Sequence, residues 1–128
     1  MEKLLIVDDM KSILDLLSVV FQKDGYQVRC CTSAAKAFEF MEKDDFDLII
    51  SDIRMPGVTG MEILKGLKDA GNVPPFILIT AFGDPETHAE ARKLGAVAVL
   101  DKPFEIETLL GLVRSVIGED PISPNEVA

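Results

Sequence analysis

The chain predicts an α/β fold: five parallel strands in the order 2-1-3-4-5, with helices on both faces of the sheet. Three observations carry this reading. Short apolar runs alternate with helical patterns five times from end to end. Four runs, "KLLIVD", "FDLIIS", "FILIT" and "AVAVL", are continuous, as expected of strands covered on both faces. The remaining run, "YQVRCCT", alternates, with Tyr26, Val28 and Cys30 on one face and Gln27, Arg29 and Cys31 on the other. Alternation suits a less protected edge, and right-handed crossovers from that edge give the order.

The helices between the strands have readable ends. The first carries Ile13, Leu14, Leu16, Leu17, Val20 and Phe21 on one side and stops at Gly25. The second begins near Ser33 and turns Ala34, Ala37, Phe38 and Met41 inward. The third follows Gly60, with Met61, Leu64 and Leu67 inward, and stops before Gly71. The fourth takes Asp84 as N-cap and Pro85 as its first residue, and ends at Gly95. Its inward candidates are Ala89, Ala91 and Leu94, mostly small, so this helix is expected to be held least firmly. The fifth starts near Glu105 and presents Leu109, Leu112, Val113 and Val116. The arrangement is flavodoxin-like, (βα)5, over residues 1–118, with 119–128 a flexible tail or linker stub.

Composition excludes several function classes. A chain of 128 residues that is 48% hydrophobic forms one domain with a single core. A net charge of −9 argues against direct nucleic-acid contact, which needs clustered Lys and Arg. No apolar run reaches the roughly 18 residues of a membrane helix, and "MEKLLIVDD" meets its acids too early for a signal peptide. Cys30 and Cys31 are neighbours on opposite strand faces, unsuited to a disulfide, and no Cys or His has metal-ligand spacing. The chain reads as cytoplasmic and reduced.

The chemistry collects where the strands end. The first strand ends in Asp8 and Asp9, the third in Asp52, the fourth in Thr80, and the fifth in Asp101 and Lys102. Neighbouring parallel strands lie about 4.8 Å apart, so Asp8, Asp9 and Asp52 must share one cleft. Carboxylates that close repel, and either one protonates or a cation sits among them. Oxygen donors alone favour Mg²⁺ over zinc or copper. With Lys102 and Thr80 added, the set suits uptake of a phosphoryl group, which needs positioning and charge neutralisation more than covalent help. A carboxylate can also be the nucleophile.

"IVDD", "LIISDIRMPGVTGME", "FILITA" and "LDKPF" together resemble the receiver domain of two-component response regulators, over about residues 3 to 117. The resemblance implies that Asp52 is the phosphoacceptor, taking its group from phosphohistidine on a sensor histidine kinase. It implies Asp9 as a direct Mg²⁺ ligand, Asp8 as an assisting one, and the Arg54 backbone carbonyl as the remaining protein ligand. Thr80 matches the hydroxyl that shifts onto the phosphoryl oxygen, and Lys102 the lysine that pairs with the group. Lys102–Pro103 is then expected to be cis, and Gly60 to sit where backbone freedom is needed. Arg54 and Phe82 match the two positions flanking the cleft, although a surface ion pair is an equal alternative for Arg54. The implied partners are the kinase and an output domain or downstream protein, a transcriptional one by the resemblance of "DIRMPG" to receivers of transcriptional activators. Pairing of two phosphorylated copies is a further option. The implied chemistry is self-catalysed phosphorylation and hydrolysis rather than enzymatic turnover.

One position departs from the family. Three residues before Lys102 the family places Tyr or Phe, and this chain has Val99. Valine is stiff at its first torsion and cannot make a ring's inward rotation. A switch here is therefore expected to rely on the loop from Thr80 to Asp84 and on the fourth helix. Val99 also keeps open a degenerate receiver that only docks partners. An aspartate-dependent phosphatase or mutase would need an acid at position 54, which is Arg54, and a flavin carrier would need a different loop from "DDMKS". His88 reads as solvated surface, Cys30 and Cys31 as one surface and one core residue, and "EKDD" from Glu42 as a solvated helix end.

Overall fold

The structure is a computed structural model that describes residues 2–55, 57–71, 73–81 and 85–118. The expectations for Phe82, for Asp84 as a cap and for the tail 119–128 lie outside the described residues. In chain order the elements are β1 (Lys3–Val7), α1 (Lys11–Lys23), β2 (Gln27–Cys31), α2 (Ala34–Lys43), β3 (Leu48–Asp52), α3 (Gly60–Asp69), β4 (Phe76–Thr80), α4 (Pro85–Lys93), β5 (Ala98–Asp101) and α5 (Ile106–Ile117). The sheet is parallel throughout, in the order β2-β1-β3-β4-β5.

Every residue of β3 and β4 is buried, because these strands lie inside the sheet and are covered twice. Alternate side chains feed two core layers. Leu5, Val7, Ile49 and Leu78 pack with α2, α3 and α4 through residues such as Ala37, Ile63, Leu64 and Ala91. Leu4, Ile6, Ile50 and Ile79 pack with α1 and α5 through Leu17, Phe21, Leu109 and Val113. Cys31 faces the first layer and the half-buried Cys30 the second, so neither thiol is a plain surface residue. Burial pushes the Cys31 thiol up to about 11, and that of Cys30 upward too.

The helix ends follow local chemistry. Gly25, at φ 98°, takes the left-handed turn after α1. Ser33 Oγ accepts the Lys36 N–H at 3.2 Å to cap α2. Thr59 and Glu62 cap α3 reciprocally: the Glu62 N–H donates to Thr59 Oγ1 at 3.2 Å, and the Thr59 N–H to Glu62 Oε1 at 2.9 Å. Lys3 pairs with Asp44 at 2.6 Å, and Arg114 on α5 grips Asp24 beyond α1 through Nε at 2.9 Å.

Several expectations need correction. Leu16 is 53% exposed, because the buried stripe of α1 runs through Leu14, Leu17 and Phe21 and leaves it to one side. On α3 the buried residues are Gly60, Ile63 and Leu64, while Met61 and Leu67 are only partly covered. On α4 Ala89 is exposed and Ala91 alone is fully buried. β5 was expected to be covered on both faces, yet its residues are half-buried or exposed. It is the second edge of the sheet, and the buried apolar side chain α4 offers it is the small Ala91.

Candidate functional site

Register brings the predicted residues to one rim. Val7 aligns with Ser51, so Asp8 leaves β1 beside Asp52 at the end of β3. Asp52 aligns with Ile79, one residue short of Thr80, and Thr80 aligns with Asp101. Carboxylate oxygens of Asp8, Asp9 and Asp52 all lie within 4.8 Å of one another. Asp8 and Asp52 are buried and Asp9 is exposed. The arrangement has one open side.

Asp52 is held by two donors. Lys102 Nζ donates to Oδ2 at 2.8 Å, and the Arg54 backbone N–H donates to Oδ1 at 3.1 Å. A charge-assisted bond of this kind holds the acceptor oxygen at a fixed place. Lys102 is tied back in turn, its backbone N–H donating to the Thr80 carbonyl at 2.8 Å. The Lys102–Pro103 peptide is cis. Beside the carboxylates opens a cleft of about 540 Å³ lined by Asp9, Ile53, Arg54, Met55 and Thr59.

Asp8 has a different environment. Burial pushes its carboxyl above the ordinary carboxylate range, and the Asp52 and Asp9 charges push the same way. The Met10 N–H, donating to Asp8 Oδ1 at 2.9 Å, and the charge of Lys102 pull it back. A simple capping role does not account for the pair: the N-cap of α1 is Met10, which makes no side-chain cap. Among the described residues the donor set at this rim is oxygen only, and it fits a hard divalent cation such as Mg²⁺.

Gly60 has a role other than the one expected. Its φ is not among the positive ones, so it supplies no unusual backbone conformation. A Cβ there would stand 2.3 Å from the Asp52 carbonyl oxygen and 2.8 Å from Ser51 Oγ. Glycine is required because α3 starts pressed against the acceptor's own peptide.

His88 is likewise misread as solvated surface. Its side chain is 25% exposed, and Nε2 lies 2.9 Å from Asp101 Oδ1. Asp101 directly precedes Lys102, and strand alternation turns it away from the cleft and towards α4.

The family model described as the response regulator receiver domain matches residues 4–114. The chain is 36% identical over 116 residues to sporulation initiation phosphotransferase F of Bacillus subtilis, covering 91% of this chain and 94% of that protein. It is 33% identical to the transcriptional regulatory protein FixJ of Bradyrhizobium diazoefficiens, over 94% of this chain but only 60% of FixJ. Among solved structures, the chemotaxis protein CheY4 of Vibrio cholerae matches with a TM-score of 0.84 and 36% identity, covering 91% of this chain and 98% of that one. The response regulator TrrA of Thermotoga maritima, solved with Mg²⁺ and BeF, matches at 0.80 and 27% identity, covering 91% and 99%.

Proposed function

This chain belongs to the receiver domains of two-component response regulators, and on that premise we propose that Asp52 accepts a phosphoryl group from a sensor histidine kinase. The observation that carries the proposal is the setting of Asp52: buried, clamped by Lys102 Nζ at 2.8 Å, and sharing its rim with Asp8 and Asp9. An Asp52 oxygen attacks phosphorus, the P–N bond to the donor histidine breaks, and the group remains as an acyl phosphate. Asp9, Asp8, Asp52 and the Arg54 carbonyl would hold Mg²⁺, which when bound neutralises charge on the phosphoryl oxygens. Lys102 moves its pairing to the incoming group, and Thr80 donates its hydroxyl to a phosphoryl oxygen.

FixJ is a transcriptional regulatory protein and TrrA a response regulator, which supports a signalling role in place of turnover; Asp52 takes up the phosphoryl group and its acyl phosphate is then hydrolysed. An output domain or downstream protein reads the phosphorylated state, by analogy with FixJ, of which this chain spans only part. Pairing of two phosphorylated copies belongs to the same proposal. Among the described residues no helix is long and apolar enough to cross a membrane. A cytoplasmic location is part of the same proposal. The functional unit is residues 1–118, with 119–128 leading out of it.

The test is incubation with acetyl phosphate and Mg²⁺ followed by intact mass. One phosphoryl adduct is expected, abolished by chelation and by Asp52→Asn. An adduct that survives either condition overturns the assignment. Val99 favours one second reading, a docking module that ignores phosphorylation, and unlabelled protein in the same assay would support it.

A further inference from the structure

Among the described residues α4 has the least apolar anchorage of the five helices, with Ala91 its one fully buried side chain. Among the described residues a side-chain contact joins it to the sheet rim, His88 Nε2 to Asp101 Oδ1 at 2.9 Å. Asp101 ends β5, is the register partner of Thr80, and is followed by Lys102. Lys102 in turn is bonded to Thr80 through its N–H and to Asp52 through its ammonium group. Asp52, Lys102, Asp101 and His88 thus form a short continuous path from the cleft to a loosely held helix. Val99 lies on the same strand face as Asp101 and packs only partly buried into the layer that holds Ala91. No ring on β5 can swing at that position. The ring comes from the helix instead and reaches the strand end from outside.

We propose that the His88–Asp101 hydrogen bond is the coupler that transmits the state of Asp52 to α4. The proposal rests on Asp52 being the phosphoacceptor. When Lys102 and Thr80 close on the phosphoryl group, the end of β5 moves with them, and Asp101 carries the anchor of His88. α4 follows, because little apolar contact opposes it. His88 and Asp101 are positioning residues; neither touches the phosphoryl group.

Beryllofluoride with Mg²⁺ serves as the probe, read by amide hydrogen exchange and amide chemical shifts in the full chain. In the unmodified protein, exchange across residues 87–93 is expected to change at least about fivefold on saturation, the scale of an ordinary coupling factor. His88→Ala and Asp101→Ala are expected to remove that change while the shifts at Ala81 and Lys102 persist. Asp101→Asn retains an oxygen that accepts from the imidazole, and it is expected to keep the α4 response. A merely structural contact would give a different pattern: His88→Ala would speed exchange across residues 87–93 before beryllofluoride is added and leave the change on saturation in place. An α4 response that survives His88→Ala overturns the coupler. So does an unmodified protein whose site responds while α4 does not. Failure to bind beryllofluoride at all would instead sink the phosphoacceptor reading, and the coupler with it.

Discussion

Gly60 shows how narrow the tolerance at one residue can be. Its missing side chain lets α3 begin against the Asp52 peptide, and nothing larger fits, because the nearest opposing atom is a backbone oxygen that cannot step aside. Gly60→Ala is expected to destabilise the protein by about 3 kcal/mol, the upper range for overpacking, as measured by urea unfolding. Asp8 predicts the opposite sign. Its carboxyl is pushed up chiefly by burial, so in the folded protein the ionised form is the unfavourable one. That penalty applies above its folded pKa and fades as pH falls through it. Asp8→Asn keeps an acceptor for the Met10 N–H and is expected to melt a few degrees higher than the unmodified protein at neutral pH without metal. The gap should close in acid, as thermal scans across pH would show. Asp8, Asp9, Asp52, Thr80 and Lys102 were all legible as strand-end residues, because parallel strands must deliver their ends to one rim. The partner of His88 was not legible, since a lone histidine on a helix gives no hint of which strand end the helix crosses.

At the level of elements, α3 and α4 are near neighbours with contrasting support. α3 has a reciprocal cap and buries Ile63 and Leu64, whereas α4 buries Ala91 and leans on His88 and on Lys68 Nζ, which donates to the Lys93 carbonyl at 3.2 Å. Amides of residues 89–93 are therefore expected to exchange with deuterium at least about tenfold faster than those of residues 64–69 in the unphosphorylated protein, by time-resolved mass spectrometry or NMR. Strand positions and helix order followed from apolar runs and turn glycines. The exact inward stripes did not: Leu16 on α1 and Ala89 on α4 look apolar enough to face in, and only the docking angle of each helix decides that they do not. β5 misleads for a related reason, because its apolar run says nothing about how small the residues covering it are.

The whole molecule carries a charge of −9, and part of its acidity is concentrated at one rim. A ligand that binds only the folded state stabilises it, by about 2.7 kcal/mol at a hundredfold excess over its dissociation constant. The melting temperature is accordingly expected to rise steadily with the logarithm of MgCl₂ concentration, and Asp9→Ala to flatten that rise; differential scanning fluorimetry against matched NaCl separates it from plain screening. The sheet has one more consequence. It is a wall of backbone that divides the interior into two rooms, one behind α1 and α5 and the other behind α2, α3 and α4. Side chains in separate rooms belong to separate packing clusters, so changes more than about 10 Å apart across the wall are expected to add. A descendant of this protein can refurnish the room behind α4, and so alter how it answers a signal, while the opposite room keeps the building upright.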